Sequence, residues 1–234
     1  FHVAATGAYR ATDPSELFVD NVLATFHLLE AVAGLPDCRV MHTCSSLEPG
    51  PRPEPIRESD PFRPRVPFGI TKASSTLLAR QAARMGLPVV MLRPFAIYGP
   101  GEPSQRLIPT AIRAALEGTP FRLARGYTRD FIFVEDVVDA YLAAATTPGL
   151  EGELINVGTG RATPNEEVVR LVEEIVGRPI ALDPEPYPAK PTDTAVWCAD
   201  ITKARELLGW SPAHTLEQGL ARTVAAMRED LRVS

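Results

Sequence analysis

Residues 68–93 have the sequence FGITKASSTLLARQAARMGLPVVMLR, which predicts a helix followed by a buried strand. Apolar residues recur at helical spacing over 68–85, and Gly86 ends that helix. The apolar run from Pro88 to Arg93 predicts a strand that is buried on both faces. Because such helix-strand units are typical of parallel sheets with crossover helices, this segment predicts an α/β fold.

Comparable units occur on both sides of this segment. The sequence predicts strands at 1–5, 39–44, 121–124 and 153–157, and helices at 14–33 and 107–117. Residues 163–166 and 215–218 each match a capping box that begins a helix. Residues 46–67 contain seven prolines in 22 residues, which predicts a long surface loop.

Composition limits the class of protein. The 234 residues are 45% hydrophobic with a net charge of −5, which is typical of a globular chain and unfavourable for binding nucleic acid or an anionic membrane. Cys38, Cys44 and Cys198 lack metal-ligand spacing, so the sequence predicts neither a disulfide framework nor a metal site and favours the cytoplasm. No uncharged run is long enough to cross a membrane. An anionic ligand therefore requires a local basic cluster.

Two short motifs indicate chemistry. Phe68 and Lys72 lie four residues apart on the predicted helix, so their side chains share one face. Thr43-Cys44-Ser45-Ser46 ends the preceding strand. A tyrosine at position 68 would form a proton-transfer unit, because a neighbouring ammonium lowers the phenol pKa from about 10. The residue is phenylalanine, which neither donates nor accepts a proton.

A series of motifs in fixed order resembles the extended short-chain dehydrogenase/reductase family, in particular its NAD-dependent nucleotide-sugar epimerases, dehydratases and 4-ketoreductases. The motifs are 1–5 (FHVAA), Asn21 with 28–31 (LLEA), Ser45-Ser46, 68–72 (FGITK), 93–101 (RPFAIYGPG), 129–136 (RDFIFVED), 156–160 (NVGTG) and 200–210 (DITKARELLGW). The resemblance implies a Rossmann-like, doubly wound parallel sheet with a smaller mixed α/β C-terminal substrate domain. It assigns 1–98 and 129–158 to the dinucleotide-binding domain, and 99–128 and 159–234 to the substrate domain.

The resemblance also implies roles for individual residues. Ser45, with Ser46 as the alternative, contacts the reacting oxygen of the sugar; position 68 is that of the catalytic tyrosine, and Lys72 holds the nicotinamide ribose. The implied contacts of NAD or NADP are Ala4, Ala5, Asn21, Lys72 and Pro94, and those of the nucleotide sugar are Ala96, Arg129, Lys190 and Asp193.

Several positions depart from the family pattern. Phe68 replaces the tyrosine, Pro49 another tyrosine, Ala96 an asparagine and Lys190 a common arginine. Where 4,6-dehydratases carry an Asp-Glu pair, this chain has Ser46-Leu47, with Glu48 one place later.

The favoured function is therefore NAD(P)-dependent 4-ketoreduction or epimerisation at C4 of a nucleotide-activated hexose. Two alternatives stay open. The first is a catalytically inactive protein that binds nucleotides or sugars, which the loss of the tyrosine favours. The second is a 4,6-dehydratase, which requires Glu48 to reach the substrate.

The resemblance further predicts a homodimer through a four-helix bundle, to which each subunit contributes helices at about 14–33 and 67–86. The phosphate-binding G-x-x-G-x-x-G motif is absent from the 234 residues, and the first strand matches the fourth strand of the family's sheet. We therefore expect the chain to be a truncated form of a protein that has roughly 75 to 90 more residues at its N-terminus.

Overall fold

The computed structural model describes residues 1–7, 13–35, 38–185, 187–188 and 197–233. The strands are β1 (Val40–Thr43), β2 (Val89–Pro94), β3 (Ala96–Tyr98), β4 (Thr128–Arg129), β5 (Phe131–Phe133), β6 (Leu154–Val157) and β7 (Thr163–Pro164). The helices are α1 (Pro14–Phe18), a π-helical turn (Val19–Leu23), α2 (Ala24–Val32), α3 (Pro67–Arg84), α4 (Leu107–Glu117), α5 (Val134–Thr146), α6 (Asn165–Val176), α7 (Thr202–Leu208) and α8 (Leu216–Val233).

The central sheet is parallel, with strand order β1-β2-β6. The N-terminal segment lies beside β1 through a parallel bridge between His2 and His42, and the His2 amide donates to the Met41 carbonyl at 2.8 Å. Since the strands are parallel, their carboxyl ends meet at one edge, where α/β proteins form their ligand crevice. The predicted α/β class with a parallel sheet is confirmed.

Helices cover the two faces of the sheet. On one face, Val89 and Met91 of β2 pack in a buried cluster with Leu29 of α2 and Ala79 of α3. On the other, Val90 and Leu92 pack in a cluster with residues of α5 and α7. Alternate side chains of β2 thus enter opposite cores, which explains the apolar run over 89–92.

A further core lies toward the C-terminus. It is formed by α4, α6 and α8 together with β3 and β5, and includes Tyr98, Ile112, Phe133, Val172 and Leu220. Tyr98 and Phe133 belong to this core although they fall within the first predicted domain. The predicted domain boundaries stay a prediction.

Two local predictions change. The helix expected over 14–33 contains the π-helical turn Val19–Leu23. The predicted capping box at 163–166 is wrong. Thr163 of β7 pairs with Arg129 of β4, and α6 begins only at Asn165. The Glu166 carboxylate accepts from the Gly126 amide at 2.8 Å instead of from the start of its own helix. Strand pairing holds the Thr163 backbone extended, and Thr163 lies one residue before the N-cap position of α6, which is Pro164.

The strand expected at 121–124 is reduced to a single parallel bridge between Phe121 and Leu182. Throughout the described ranges, no helix has the length and apolar character of a membrane span.

Candidate active site

The turn after β1 and the first turns of α3 meet at the carboxyl edge of the sheet. A Cβ atom on Gly69 would lie 3.0 Å from the Leu47 carbonyl oxygen, so a residue without a side chain lets α3 approach this turn closely. Three residues later, the Lys72 ammonium donates to the Thr43 carbonyl at 2.7 Å. The structure therefore brings together the two motifs, Thr43–Ser46 and Phe68–Lys72, that the sequence singles out.

Lys72 is almost fully buried, with 4% of its surface exposed. Burial lowers the pKa of its ammonium, and the nearby Cys44 and Glu48 oppose that effect. Because an ammonium has three donors, the bond to Thr43 fixes the side chain and leaves further donor capacity for a ligand at this edge.

Glu48 organises the turn that carries the two serines. Its carboxylate accepts from the Ser45 amide at 2.7 Å and from the Thr76 hydroxyl at 2.9 Å. It also pairs with the Arg93 guanidinium at 3.3 Å, and both charged side chains are completely buried. Burial raises the pKa of Glu48, while Arg93 and Thr76 act in the opposite direction.

Because all of these contacts hold Glu48 inside the protein, its carboxylate does not reach toward a substrate. A 4,6-dehydratase that uses Glu48, one of the alternatives from the sequence, therefore receives no support from the structure. Glu48 instead fixes the backbone of Ser45, whose hydroxyl accepts from the Leu47 amide at 3.2 Å.

Asn21 connects the N-terminal segment to α3. Its side-chain amide accepts from the Thr6 amide at 2.9 Å and donates to the Thr6 carbonyl at 3.1 Å, directly after Ala4 and Ala5. It also donates to the Thr71 hydroxyl at 3.1 Å, next to Lys72. The four residues predicted to contact a cofactor on this side thus belong to one connected region.

A second group of predicted residues lies around the carboxyl ends of β2 and β6. The guanidinium of Arg129 lies over the Trp197 ring, with its central carbon 5.6 Å from the ring centroid, and the Trp197 indole donates to the Ser46 carbonyl at 3.1 Å. Pro94 ends β2, and the Ala96 amide donates to the Asp130 carbonyl at 2.9 Å. Lys190 and Asp193 lie outside the described residues.

Phe68 is half-buried in the first turn of α3, where its carbonyl accepts from the Thr71 hydroxyl at 3.0 Å. Another tyrosine, Tyr141, reaches the end of β1, where its hydroxyl donates to the Thr43 hydroxyl at 2.9 Å. Tyr141, however, belongs to the core on the α5 face of the sheet, whereas α3 covers the other face, and burial raises its pKa. It therefore does not replace the missing phenol beside Lys72.

Sequence reasoning missed two contributors to this site. Trp197 follows the proline-rich 181–196 region, and no spacing relates it to Ser46, which lies 151 residues away in sequence. The second is Asp130, which accepts from the amides of Thr159, Gly160 and Ala199 and thereby joins three loops. The only sequence signal for Asp130 was its place beside Arg129.

Taken together, a parallel α/β sheet with a buried lysine, two serines and a connected asparagine at its carboxyl edge defines a protein of the dinucleotide-binding class. The family model for the "NAD dependent epimerase/dehydratase family" matches residues 1–158. The chain therefore belongs to the NAD-dependent epimerase/dehydratase family, and the resemblance inferred from its motifs is confirmed.

Individual relatives agree with this assignment. The chain is 32% identical to a UDP-glucose 4-epimerase of Mycolicibacterium smegmatis, over 97% of this chain and 75% of the relative. It is 32% identical to a dTDP-6-deoxy-L-talose 4-dehydrogenase (NAD(P)(+)) of Kitasatospora kifunensis, over 93% and 72%. Among solved structures, MoeE5 in complex with UDP-glucuronic acid and NAD superposes with a TM-score of 0.91 at 33% identity, over 97% and 78%.

Proposed function

We propose that the protein binds NAD or NADP and modifies a nucleotide-activated hexose at C4, as a 4-ketoreductase or an epimerase. The observation that carries the proposal is the bond from the buried Lys72 to the Thr43 carbonyl, beside the serine turn and one helical turn after position 68. The relatives support it, because they include a UDP-glucose 4-epimerase and a 4-dehydrogenase of a dTDP-linked sugar.

The residues at the sheet edge fit the nicotinamide half of the cofactor. Lys72 offers donors suited to the ribose hydroxyls, and the Asn21 network holds the segment of Ala4 and Ala5 in place beside it. Pro94 closes the same edge from β2. When bound, the cofactor supplies the hydride acceptor or donor of the reaction.

The substrate occupies the adjoining part of the crevice in this proposal. Ser45, with Ser46 as the alternative, donates to the reacting oxygen of the sugar. Arg129, Lys190 and Asp193 bind the nucleotide portion, and Ala96 lines the sugar site. Arg129 supplies positive charge that a protein with a net charge of −5 needs in order to hold a diphosphate.

The residue at position 68 distinguishes the two candidate functions, an active enzyme and a protein that binds the nucleotide sugar without converting it. With phenylalanine beside Lys72, the proposed site lacks the side-chain hydroxyl that would exchange a proton with the sugar. The experiment is therefore Phe68→Tyr in the full chain, assayed with NAD(H) and NADP(H) on UDP- and dTDP-hexoses and their 4-keto derivatives. We expect turnover to appear or to rise at least about a hundredfold, the lower end of the range of general acid-base catalysis.

Phe68→Tyr combined with Lys72→Met is the matched control, since it keeps the phenol and removes the ammonium that activates it. Isothermal titration of the natural chain with the same sugars completes the design. Sugar binding without turnover in both the natural and tyrosine forms would identify a non-catalytic binder. Absence of both binding and turnover would overturn UDP- and dTDP-hexoses as the substrates.

We also propose that the protein is a cytoplasmic homodimer. Exposed apolar residues on the α1-α2 segment and on α3 support a four-helix bundle between two subunits. They are Phe18, Val19, Leu23, Phe26, Ile70 and Leu77, each 40 to 55% exposed.

A further inference from the structure

Trp197 contacts both parts of the proposed site. Its indole nitrogen donates to the Ser46 carbonyl at 3.1 Å, and its ring lies 5.6 Å from the Arg129 guanidinium carbon. The side chain is only 5% exposed. The indole has a hydrogen-bond donor at one edge and an aromatic face. A single rigid group therefore joins the serine turn to Arg129, the residue predicted to bind the diphosphate.

The surroundings of Trp197 fix the plane of its ring. It packs in a buried apolar cluster with Ile56, Phe95, Ala199 and Ile201. The Asp130 carboxylate accepts from the Ala199 amide at 3.0 Å, so the residue after Arg129 is bonded to the residue two places after Trp197. The two segments that carry the guanidinium and the ring are therefore held in one arrangement.

We propose that Trp197 is a positioning residue that presents the Arg129 guanidinium to the diphosphate of a nucleotide sugar and anchors the serine turn through Ser46. This inference rests on the proposed function. An aromatic face orients a guanidinium without neutralising its charge. A guanidinium held in one place can form paired hydrogen bonds to phosphate oxygens.

The test measures the binding of UDP and of dTDP by isothermal titration to the full chain and its variants. Trp197→Leu removes the aromatic face, and we expect it to weaken binding of the preferred nucleotide about three- to thirtyfold, the range of a cation-π contact. Trp197→Phe keeps an aromatic face, so its binding should stay within about threefold of the natural chain. In an Arg129→Ala background, Trp197→Leu should have little additional effect, because the group it positions is absent.

Tryptophan fluorescence gives a second readout that does not depend on a disruptive variant. The chain has two tryptophans, and Trp210 lies in the core on the α5 face of the sheet. Nucleotide binding should change the emission of the natural chain, and that change should disappear in Trp197→Phe.

The outcomes separate the two proposals. Binding to the natural chain that is equally tight in Trp197→Leu, or an emission change that persists in Trp197→Phe, overturns the role of Trp197 alone. Absence of UDP and dTDP binding to the natural chain overturns a UDP- or dTDP-linked sugar as the substrate and this inference with it.

Discussion

At the residue scale, buried charge surrounds the serine turn. Glu48 and Arg93 are both fully buried, and the Arg93 guanidinium also donates to the Asn156 side chain at 3.4 Å. The guanidinium carbon lies 5.6 Å from the centroid of the Phe62 ring. Removing one member of such a pair leaves the other charge buried without its partner, and this costs more than the pair itself contributes.

We therefore expect Glu48→Ala to lower the free energy of unfolding by about 3 to 5 kcal/mol in urea denaturation. Glu54→Ala, at an exposed glutamate of the same proline-rich loop, is the control, and its effect should stay within about 0.5 kcal/mol. Equal stability of the two variants would show that Glu48 does not hold the turn.

His42 is a second buried residue whose charge state matters. It is fully buried, and neither ring nitrogen has a hydrogen-bond partner within the described part of the chain. Burial, together with the positive charges of Lys72 and His2, holds the pKa of His42 well below its usual value. The folded protein therefore keeps this imidazole neutral.

This pKa shift predicts a loss of stability in acid. Unfolded His42 takes up a proton as the pH falls through about 6.5, while the folded form does not, so the unfolding free energy decreases below that pH. The contribution is at most about 1.4 kcal/mol per pH unit. Urea denaturation between pH 8 and pH 5 should show a shallower decrease for His42→Leu than for the natural chain.

His27 provides the matched control, since its side chain is 70% exposed. His27→Leu should leave the pH dependence of the natural chain unchanged. If His42→Leu and the natural chain lose stability with the same slope, the neutral state of His42 is not the cause.

At the element scale, the π-helical turn is the feature that local sequence did not reveal. Asp13 accepts from the Ser15 amide and caps α1, which begins at Pro14, but the helix widens at Val19–Leu23. Asn21 lies in this turn and is bonded to Thr6 and Thr71. Because π-helical turns are rare and frequently occur at functional sites, their position here agrees with the proposed cofactor contact of Asn21.

Helix α8 begins with the capping box that the sequence predicts. The Thr215 amide donates to the Gln218 side chain at 2.9 Å, and the Gln218 amide donates to the Thr215 hydroxyl at 3.3 Å. Thr215→Ala should destabilise the protein by about 1 kcal/mol, measured by thermal denaturation. Thr119→Ala, at an exposed threonine outside the helices, should have a smaller effect, and a reversed order would argue against the cap.

At the scale of the whole molecule, the apolar face of the α1-α2 segment and α3 predicts self-association. Ile70 and Leu77 lie two turns apart on α3 and are 52% and 55% exposed. Replacing both with glutamate places charge on this face, which is unfavourable in a buried interface. We expect the natural chain to sediment as a dimer at micromolar concentration and Ile70→Glu/Leu77→Glu as a monomer.

Val138→Glu is the control for this experiment, because Val138 is also 50% exposed but lies on α5, outside the proposed bundle. It should sediment like the natural chain. A monomeric natural chain would contradict the predicted homodimer.

Much of the sheet and of the lysine-serine region could be predicted from short-range patterns. The segment 68–93 became α3 and β2 within one residue of the expected bounds at each end of each element. The capping box at 163–166 failed because β4 pairs with β7, a contact between residues more than 30 positions apart. Local propensity does not register such pairings.

Periodicity and motifs within single elements were enough to predict the parallel α/β fold, the family and the spacing of Phe68 and Lys72. The folded chain was needed to show that Glu48 is buried against Arg93, that Asn21 bonds to Thr6 and Thr71, and that Trp197 contacts both Ser46 and Arg129. These contacts form between distant segments, and they exist only when packing of the sheet and helices excludes water and brings the segments into register.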